Sequence, residues 1–318
     1  MSLGVMRKLP ILQHWLRELL DRPLKGNKKV IEHLILLGLY QLAFSRVSQH
    51  AAVGETVNAS PYLGGTALKG LVNAVLRNFM RQELVNKPID NPIIASGLPK
   101  WLYKALEDAY GQDADAVREA TNAMAPIWLR VNTKQISITD YAAALDAVEI
   151  NYSLSSEHAD AIRLEGREDI TGLPGFEKGY FAVQDGAAQL AAHYLDAQPH
   201  ERVLDCCAAP GGKTCHILES SPNNDITAID ISADRLVQIQ QNTDRLGLHA
   251  TLIAADAADT SAWWDGQVFD LILIDAPCTG SGVIRRHPDI KLLRHPKDID
   301  SLASPQQLLL DNLWPLLK

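Results

Sequence analysis

Residues 202–214 run Arg-Val-Leu-Asp-Cys-Cys-Ala-Ala-Pro-Gly-Gly-Lys-Thr, an apolar stretch that ends in an acid and is followed by small residues. The pattern predicts a strand, a tight loop and a helix that begins at about Lys213. Small side chains let a ligand approach the backbone, and the unpaired N–H groups at a helix N-terminus can bind it. This loop is therefore a candidate ligand site, although a Gly-Gly turn alone also fits a simple tight connection.

Short apolar strands alternate with helices from Arg202 onward. We predict strands at Val203–Leu204, Ile226–Ile229, Thr251–Ala254 and Phe269–Ile274, and helices from Lys213 and over Ala233–Leu246. This alternation is typical of βαβ units and predicts a parallel sheet in an α/β fold. Acids follow the strands, at Asp205, Asp230, Asp256 and Asp275. Because ligands of open parallel sheets bind at the carboxyl ends of the strands, these acids define one candidate pocket.

Two classes of ligand compete for the loop. Residues 212–214 match the end of a Walker A phosphate-binding loop, and residues 271–275 resemble a Walker B strand. Cys207 replaces the first glycine of that loop, which disfavours an NTPase, and the lack of G-x-G-x-x-G disfavours NAD. The other class is S-adenosylmethionine, for which Asp230 has the spacing of an acid that binds ribose hydroxyls. Asp230 also fits a helix cap, and Asp256 fits either a contact to adenine or a turn.

The N-terminal part differs in character. Apolar residues recur at helical spacing in residues 12–20, 30–44 and 68–79, so residues 1 to about 85 are predicted to be all-helical. Prolines and a glycine in residues 86–99 predict a linker. Two further helices and a small mixed α/β region follow, with strands at 127–131, 161–164 and 180–183 and helices at 141–148 and 186–195. We predict a helical domain at 1–90, an α/β connector at 91–195 and a doubly wound α/β domain at 196–318.

Charge is unevenly distributed along the 318 residues. Residues 1–100 carry 13 Lys and Arg against 6 Asp and Glu, whereas the whole chain has a net charge of −8. A basic N-terminal third favours a polyanion such as RNA as partner, and solvated helix faces are the alternative. No apolar stretch approaches the ~20 residues of a membrane span, and no signal peptide is evident, so we expect a cytoplasmic protein. None of the four cysteines has zinc-ligand spacing, so we expect no bound metal.

Residues 275–289 read Asp-Ala-Pro-Cys-Thr-Gly-Ser-Gly-Val-Ile-Arg-Arg-His-Pro-Asp. Together with residues 204–214, this segment resembles the RNA cytosine-C5 methyltransferases, and in particular their bacterial 16S ribosomal RNA branch. The N-terminal third resembles the RNA-binding domain of that branch, itself similar to the antitermination factor NusB, through residues 50–57 and 69–78. The resemblance implies a class I Rossmann-like methyltransferase domain after a NusB-like domain, acting as a monomer on 16S rRNA or a small-subunit precursor, with nucleotide 967 as target.

The resemblance also implies roles for individual residues. Asp230 and Asp256 would hold the ribose and adenine of S-adenosyl-L-methionine. Asp275 would lie where cofactor and cytosine meet, and Cys278 would assist product release. The cofactor loop would comprise Cys207, Ala208, Ala209, Pro210, Gly211, Gly212 and Lys213. Turn capping for Asp275 and simple burial for Cys278 are the alternatives.

A second basic cluster follows Cys278. We predict RNA phosphate contacts from Arg285, Arg286, Lys291 and Arg294, with solvated loop charges as the alternative. A paired target base must leave its stack to reach Asp275.

The sequence departs from the family at the attacking thiol. That thiol is expected in a Thr-Cys-Ser motif, which is absent from residues 1–318. Cys215 belongs to the helix after the cofactor loop and is no substitute. We therefore expect this chain to be shortened at both ends and to bind cofactor without methylating RNA. The alternative is a noncatalytic RNA-binding or ribosome-assembly protein that retains the cofactor fold.

Overall fold

The computed structural model describes residues 1–166, 168–221 and 223–318. Its contacts divide the chain into two compact units, the first made of residues 1–124 and 279–298 and the second of residues 125–278 and 299–318. This division does not follow our three predicted domains, because residues 279–298 pack with the N-terminal helices. The domain boundaries at 90 and 195 stay a prediction.

The helices and strands are numbered in chain order. The helices are α1 Ser2–Leu19, α2 Lys29–Phe44, α3 Gln49–Ala59, α4 Lys69–Arg81, α5 Pro92–Ala95, α6 Lys100–Tyr110, α7 Ala114–Asn122, α8 Ile138–Asp146, α9 Gly186–Leu195, α10 Gly212–Ser220, α11 Ala233–Leu246, α12 Ile290–Leu293 and α13 Lys297–Leu313. The strands are β1 Ile127–Val131, β2 Tyr152–Leu154, β3 Ala161–Leu164, β4 Phe181–Val183, β5 Arg202–Cys206, β6 Asp225–Asp230, β7 Thr251–Ala254 and β8 Leu271–Ile274.

The apolar faces of the N-terminal helices form the core of the first unit, as predicted. Leu12 of α1, Ile35 of α2 and Leu76 of α4 are fully buried. The rings of Trp15 and Phe44 stack with their centroids 5.8 Å apart. The prediction of an all-helical N-terminal region is confirmed.

Residues 86–99 belong to this unit and do not form a spacer. They contain the short helix α5, which is capped by the side chain of Asn91. Leu98 is buried and packs with Leu102 and Ile284. The prediction of a linker was wrong because proline and glycine interrupt helical periodicity without preventing a segment from packing.

The second unit contains two sheets. The antiparallel sheet has the order β2-β3-β1-β4, and its core includes Leu129, Ile162 and Phe181. The parallel sheet has the order β7-β6-β5-β8, which confirms the predicted α/β fold. Cys206 pairs with Ile229 on one side and with Ile274 on the other, so β5, β6 and β8 end at the same edge.

Among the described residues, no helix is both long enough and apolar enough to cross a bilayer.

Candidate active site

The loop after β5 has a backbone that needs glycine at one position. Gly211 has a φ of +94°, and a Cβ there would lie 2.9 Å from Cγ2 of Ile239 on α11. Gly212 begins α10, and a Cβ there would have its nearest neighbour 3.8 Å away. Cys207 also has a positive φ, of 59°. The loop is therefore held close to α11, and the first N–H groups of α10 follow directly after it.

Asp205 lies beneath this loop. Its side chain is fully buried and accepts a hydrogen bond of 2.6 Å from the hydroxyl of Thr214. Burial raises the pKa of Asp205 to about 7. Its other oxygen has no hydrogen-bond partner among the described residues. Asp205 thus ties β5 to α10, and it does not line the cleft described below.

Asp230 ends β6 and contacts the loop directly. Its carboxylate is 2% exposed and accepts hydrogen bonds from the backbone N–H groups of Ala209, at 3.2 Å, and Ser232, at 3.1 Å. The guanidinium of Arg235 lies 3.3 Å away. The Arg235 side chain also donates to the carbonyl oxygen of Ala209 at 2.8 Å. Asp230 is therefore a fixed acceptor at the carboxyl edge of the sheet.

A cleft of about 200 Å³ lies beside this carboxylate. It is lined by Cys207, Ile229, Asp230, Ile231, Arg235, Ala255, Asp256, Ala257, Ala258, Pro277, Pro305, Leu308 and Leu309. Three of the predicted cofactor residues, Cys207, Asp230 and Asp256, thus come together. One oxygen of Asp256 accepts from the backbone N–H of Ala258 at 2.9 Å, so this acid is also a turn residue.

The wall formed by α13 was not predicted. Pro305, Leu308 and Leu309 line the cleft from this helix. Gln306 on the same helix donates to the carbonyl oxygen of Pro277 at 2.8 Å. The leucine spacing of α13 predicts a helix, but this pattern does not indicate that the helix lines a ligand-binding cleft.

The remaining loop residues lie around the cleft without lining it. Ala208 and Ala209 are buried in an apolar cluster, and the carbonyl oxygen of Pro210 accepts from Asn242 at 2.9 Å. The Lys213 ammonium lies 2.6 Å from the carboxylate of Asp275. Half of the Asp275 side chain is exposed, directly after β8.

The cysteines differ in environment. Cys278 is exposed, which removes the alternative that it is simply buried. Burial and the neighbouring carboxylates, that of Asp230 first, raise the pKa of Cys207 to about 11. Burial raises the pKa of Cys215 to about 12, and this thiol packs with Ala182 and Leu246. Cys207 and Cys215 are thus protonated at neutral pH and unsuited to nucleophilic attack.

The basic cluster belongs to the first unit, and the structure corrects one of its members. Lys291 is 1% exposed, and its ammonium donates to the carbonyl oxygens of Arg7 and Gly97, each at 2.7 Å. A buried ammonium that binds carbonyl groups cannot bind phosphate as well, so the predicted RNA contact of Lys291 was wrong. The other three members of the cluster, Arg285, Arg286 and Arg294, are partly exposed. Arg285 donates to the carbonyl oxygen of Met124 and Arg294 to that of Thr279.

Three family models match the chain. The model described as 16S rRNA methyltransferase RsmB/F matches residues 192–318. A ferredoxin-like domain model of RsmF/B-like methyltransferases matches residues 98–171, and the NusB family model matches residues 1–81.

Solved structures resemble the chain as well. A methyltransferase homolog from Pyrococcus horikoshii is 30% identical, with a TM-score of 0.62 and coverage of 71% of this chain and 72% of that one. The structure of the protein PH0851 has a TM-score of 0.80 and covers 99% of this chain and 73% of that one. At 21% identity, this second match supports the fold alone.

Curated relatives match nearly the whole chain. Ribosomal RNA small subunit methyltransferase B from Vibrio cholerae is 47% identical over 317 residues, which cover 99% of this chain and 73% of that protein. The protein of the same name from Escherichia coli O127:H6 is 43% identical, with coverage of 99% and 74%. With this identity over both units, the chain belongs to the ribosomal RNA small subunit methyltransferase B family.

Proposed function

We propose that the chain serves the S-adenosyl-L-methionine-dependent methylation of cytosine C5 in 16S ribosomal RNA. The observation that carries the proposal is the cleft that joins Cys207, Asp230 and Asp256 beside the Asp275–Cys278 segment. The name of the relatives supports ribosomal RNA as the substrate. As part of the same proposal, the chain acts as a monomer in the cytoplasm on 16S rRNA or its small-subunit precursor.

The cleft has the hydrogen-bond acceptors that this cofactor requires. Asp230 and Asp256 are acceptors for ribose hydroxyls and for the adenine amino group. Ile231, Pro305 and Leu308 offer apolar surface to the adenine ring. S-adenosyl-L-methionine supplies an electrophilic methyl group when bound there. The loop from Cys207 to Lys213 would hold its amino acid part against the N-terminus of α10.

As part of this proposal, Asp275 recognises the target base. A carboxylate accepts a hydrogen bond from the N4 amino group of cytosine. The Lys213 ammonium, 2.6 Å away, orients this carboxylate. Half of the Asp275 side chain is open to solvent and thus accessible to a base that has left its stack. Arg285, Arg286 and Arg294 would contact RNA phosphates.

The motif that carries the attacking thiol is absent from residues 1–318. Cytosine C5 is a weak nucleophile, and addition of a thiolate to C6 makes it electron-rich. Residues 1–318 lack Thr-Cys-Ser, and Cys207 and Cys215 are held protonated. Cys278, in the position that assists product release, does not replace that thiol. We therefore propose that residues 1–318 bind cofactor and RNA but form no methylated product.

Calorimetric titration with S-adenosylhomocysteine tests the cofactor site. We expect binding to the wild type and at least about tenfold weaker binding to Asp230→Asn, because a buried charge-assisted acceptor is lost. Asp234→Asn, an exposed acid on α11, is the matched control and should bind like the wild type. Binding of ATP with Mg²⁺ in place of S-adenosylhomocysteine would refute the proposal.

A single-turnover assay with tritiated cofactor and 16S rRNA tests the chemistry. We expect no tritium in RNA from residues 1–318, because these residues lack the Thr-Cys-Ser motif. Product in this assay would contradict the proposal that residues 1–318 contain no attacking thiol.

The second candidate function is a noncatalytic RNA-binding or ribosome-assembly protein. The protonated state of Cys207 and Cys215 favours it for residues 1–318. Binding of 16S rRNA without binding of S-adenosylhomocysteine would support this function over the first.

A further inference from the structure

Three potential metal ligands meet in the second unit, and none of them lines the cofactor cleft. Asp160 lies just before β3, His193 on α9 and His216 on α10. One ligand atom from each lies within 4.8 Å of the other two. Nε2 of His216 is 3.4 Å from one oxygen of Asp160, and Nε2 of His193 is 3.8 Å from the other.

His216 has no hydrogen-bond partner that explains its position. Its side chain is 1% exposed, and neither ring nitrogen is hydrogen-bonded to a described residue. One carboxylate oxygen of Asp160 is likewise buried without a hydrogen bond. Buried polar atoms are normally satisfied, so unpaired atoms of His216 and Asp160 within one cluster of possible ligand atoms indicate a ligand among them.

The spacing is close to that of a tetrahedral zinc site. With ligand bonds of ~2.0–2.1 Å, neighbouring ligand atoms around Zn²⁺ are ~3.3–3.4 Å apart. The two histidines contact different oxygens of the Asp160 carboxylate, at 3.4 and 3.8 Å, and both distances approach this separation. Two imidazoles with one carboxylate favour Zn²⁺ over Mg²⁺ and Ca²⁺, which prefer all-oxygen sites.

We propose that Asp160, His193 and His216 bind one Zn²⁺ ion, with water as the fourth ligand. The exposed side of the site is His193, whose side chain is 43% exposed, so the ion can enter from solvent. The ring of His158 stacks on that of His193 with centroids 5.9 Å apart and limits its rotation. The ion links α9 and α10 to the segment before β3, and thereby fixes the helix that follows the cofactor loop.

The test uses residues 1–318 without a histidine tag, treated with a chelator and then titrated with Zn²⁺ or Co²⁺. We expect about one ion per chain by elemental analysis, a visible spectrum of tetrahedral Co²⁺, and a rise in melting temperature with Zn²⁺. Saturation at less than about a tenth of an ion per chain, with no such spectrum, would overturn the proposal.

Variants separate this site from adventitious binding. His193→Ala removes the most exposed ligand, so the fold is expected to persist, and zinc affinity should fall about 100-fold. His216→Gln should give the same loss. His33→Ala, at an exposed histidine on α2, should bind like the wild type. Should His216→Gln fail to fold, His193→Ala alone decides, because equal zinc binding by wild type and His193→Ala would contradict the site.

Discussion

At the scale of single residues, Asp205 links folding to pH. Its pKa of about 7 lies above the ordinary value of 3.8 because the carboxyl group is buried. Between about pH 4 and pH 7 the folded chain therefore holds a proton that the unfolded chain has released, and stability falls as pH rises through this window.

Asp205→Asn should remove this dependence. The amide still accepts from Thr214 but cannot ionise. We expect the free energy of unfolding of the wild type to fall by up to about 3 kcal/mol more than that of Asp205→Asn between pH 4.5 and 7.5. Urea unfolding at several pH values measures this, with Asp234→Asn as a control of wild-type slope. If the free energy of unfolding changed equally with pH in wild type and Asp205→Asn, Asp205 would not hold a proton in the folded chain.

The two loop glycines offer a matched pair. Gly211→Ala combines a positive φ with a Cβ at 2.9 Å from Ile239, so we expect a loss of about 1–3 kcal/mol. Gly212→Ala has neither problem and should change stability by less than about 1 kcal/mol. Denaturant midpoints of the two variants give the comparison. Equal losses would show that the strain at Gly211 is absent in solution.

Single residues were predicted unevenly from the sequence. The cleft contains Asp230 and Asp256, whose place follows from the rule that parallel strands end at one edge. The burial of Lys291 was not predictable, since a count of charges does not say which ammonium finds carbonyl oxygens. The cluster of Asp160, His193 and His216 was missed because its members are far apart in sequence and lack any recognised spacing.

At the scale of elements, one buried ion pair joins β1 to α10. Arg130 is fully buried and donates to both oxygens of Glu219, at 2.7 and 2.8 Å. The same guanidinium donates to the carbonyl oxygen of Gly212 at 2.8 Å and to Gln184. The first residue of α10 is thus held by the antiparallel sheet.

Removing one partner should be worse than removing both. Arg130→Met leaves the Glu219 carboxylate buried and unpaired, at a cost of about 3–5 kcal/mol. The double variant Arg130→Met, Glu219→Met should recover most of this loss, because no unpaired charge remains. Thermal unfolding of the wild type, Arg130→Met, Glu219→Met and the double variant measures the coupling. Additive losses would mean that the two side chains do not stabilise each other.

Elements with strong periodicity were located well from the sequence. The bounds of β1, β3, β7, α9 and α11 agree with the predictions. Strand β2 was missed because Tyr-Ser-Leu is too short and too polar to stand out, and it forms by pairing with β3. Tertiary pairing, which a local pattern does not contain, decides such segments.

At the scale of the whole molecule, Lys291 is a buried hydrogen-bond donor of the first unit, and burial lowers its pKa to about 7. Lys291→Met leaves the carbonyl oxygens of Arg7 and Gly97 without their donor, so we expect a loss of about 1–3 kcal/mol. In Lys291→Met, the slope of the logarithm of RNA affinity against the logarithm of salt concentration should not change. In Arg294→Gln, the magnitude of this slope should decrease by about 0.9 or less. Filter binding at several salt concentrations measures both slopes. A slope change from Lys291→Met as large as that from Arg294→Gln would restore Lys291 as a phosphate contact.

The first unit combines residues 1–124 with residues 279–298, and this arrangement sets the order in which the chain can fold during synthesis. Leu98 and Leu102 pack against Ile284, and Gly97 receives the Lys291 ammonium, so their partners are made almost two hundred residues later. Contacts of such long sequence separation form slowly, because a large loop must close first. Helix α6 therefore emerges from the ribosome before Ile284 can cover Leu98 and Leu102. This apolar surface stays uncovered until residues 279–298 have been translated, and such transient exposure favours aggregation.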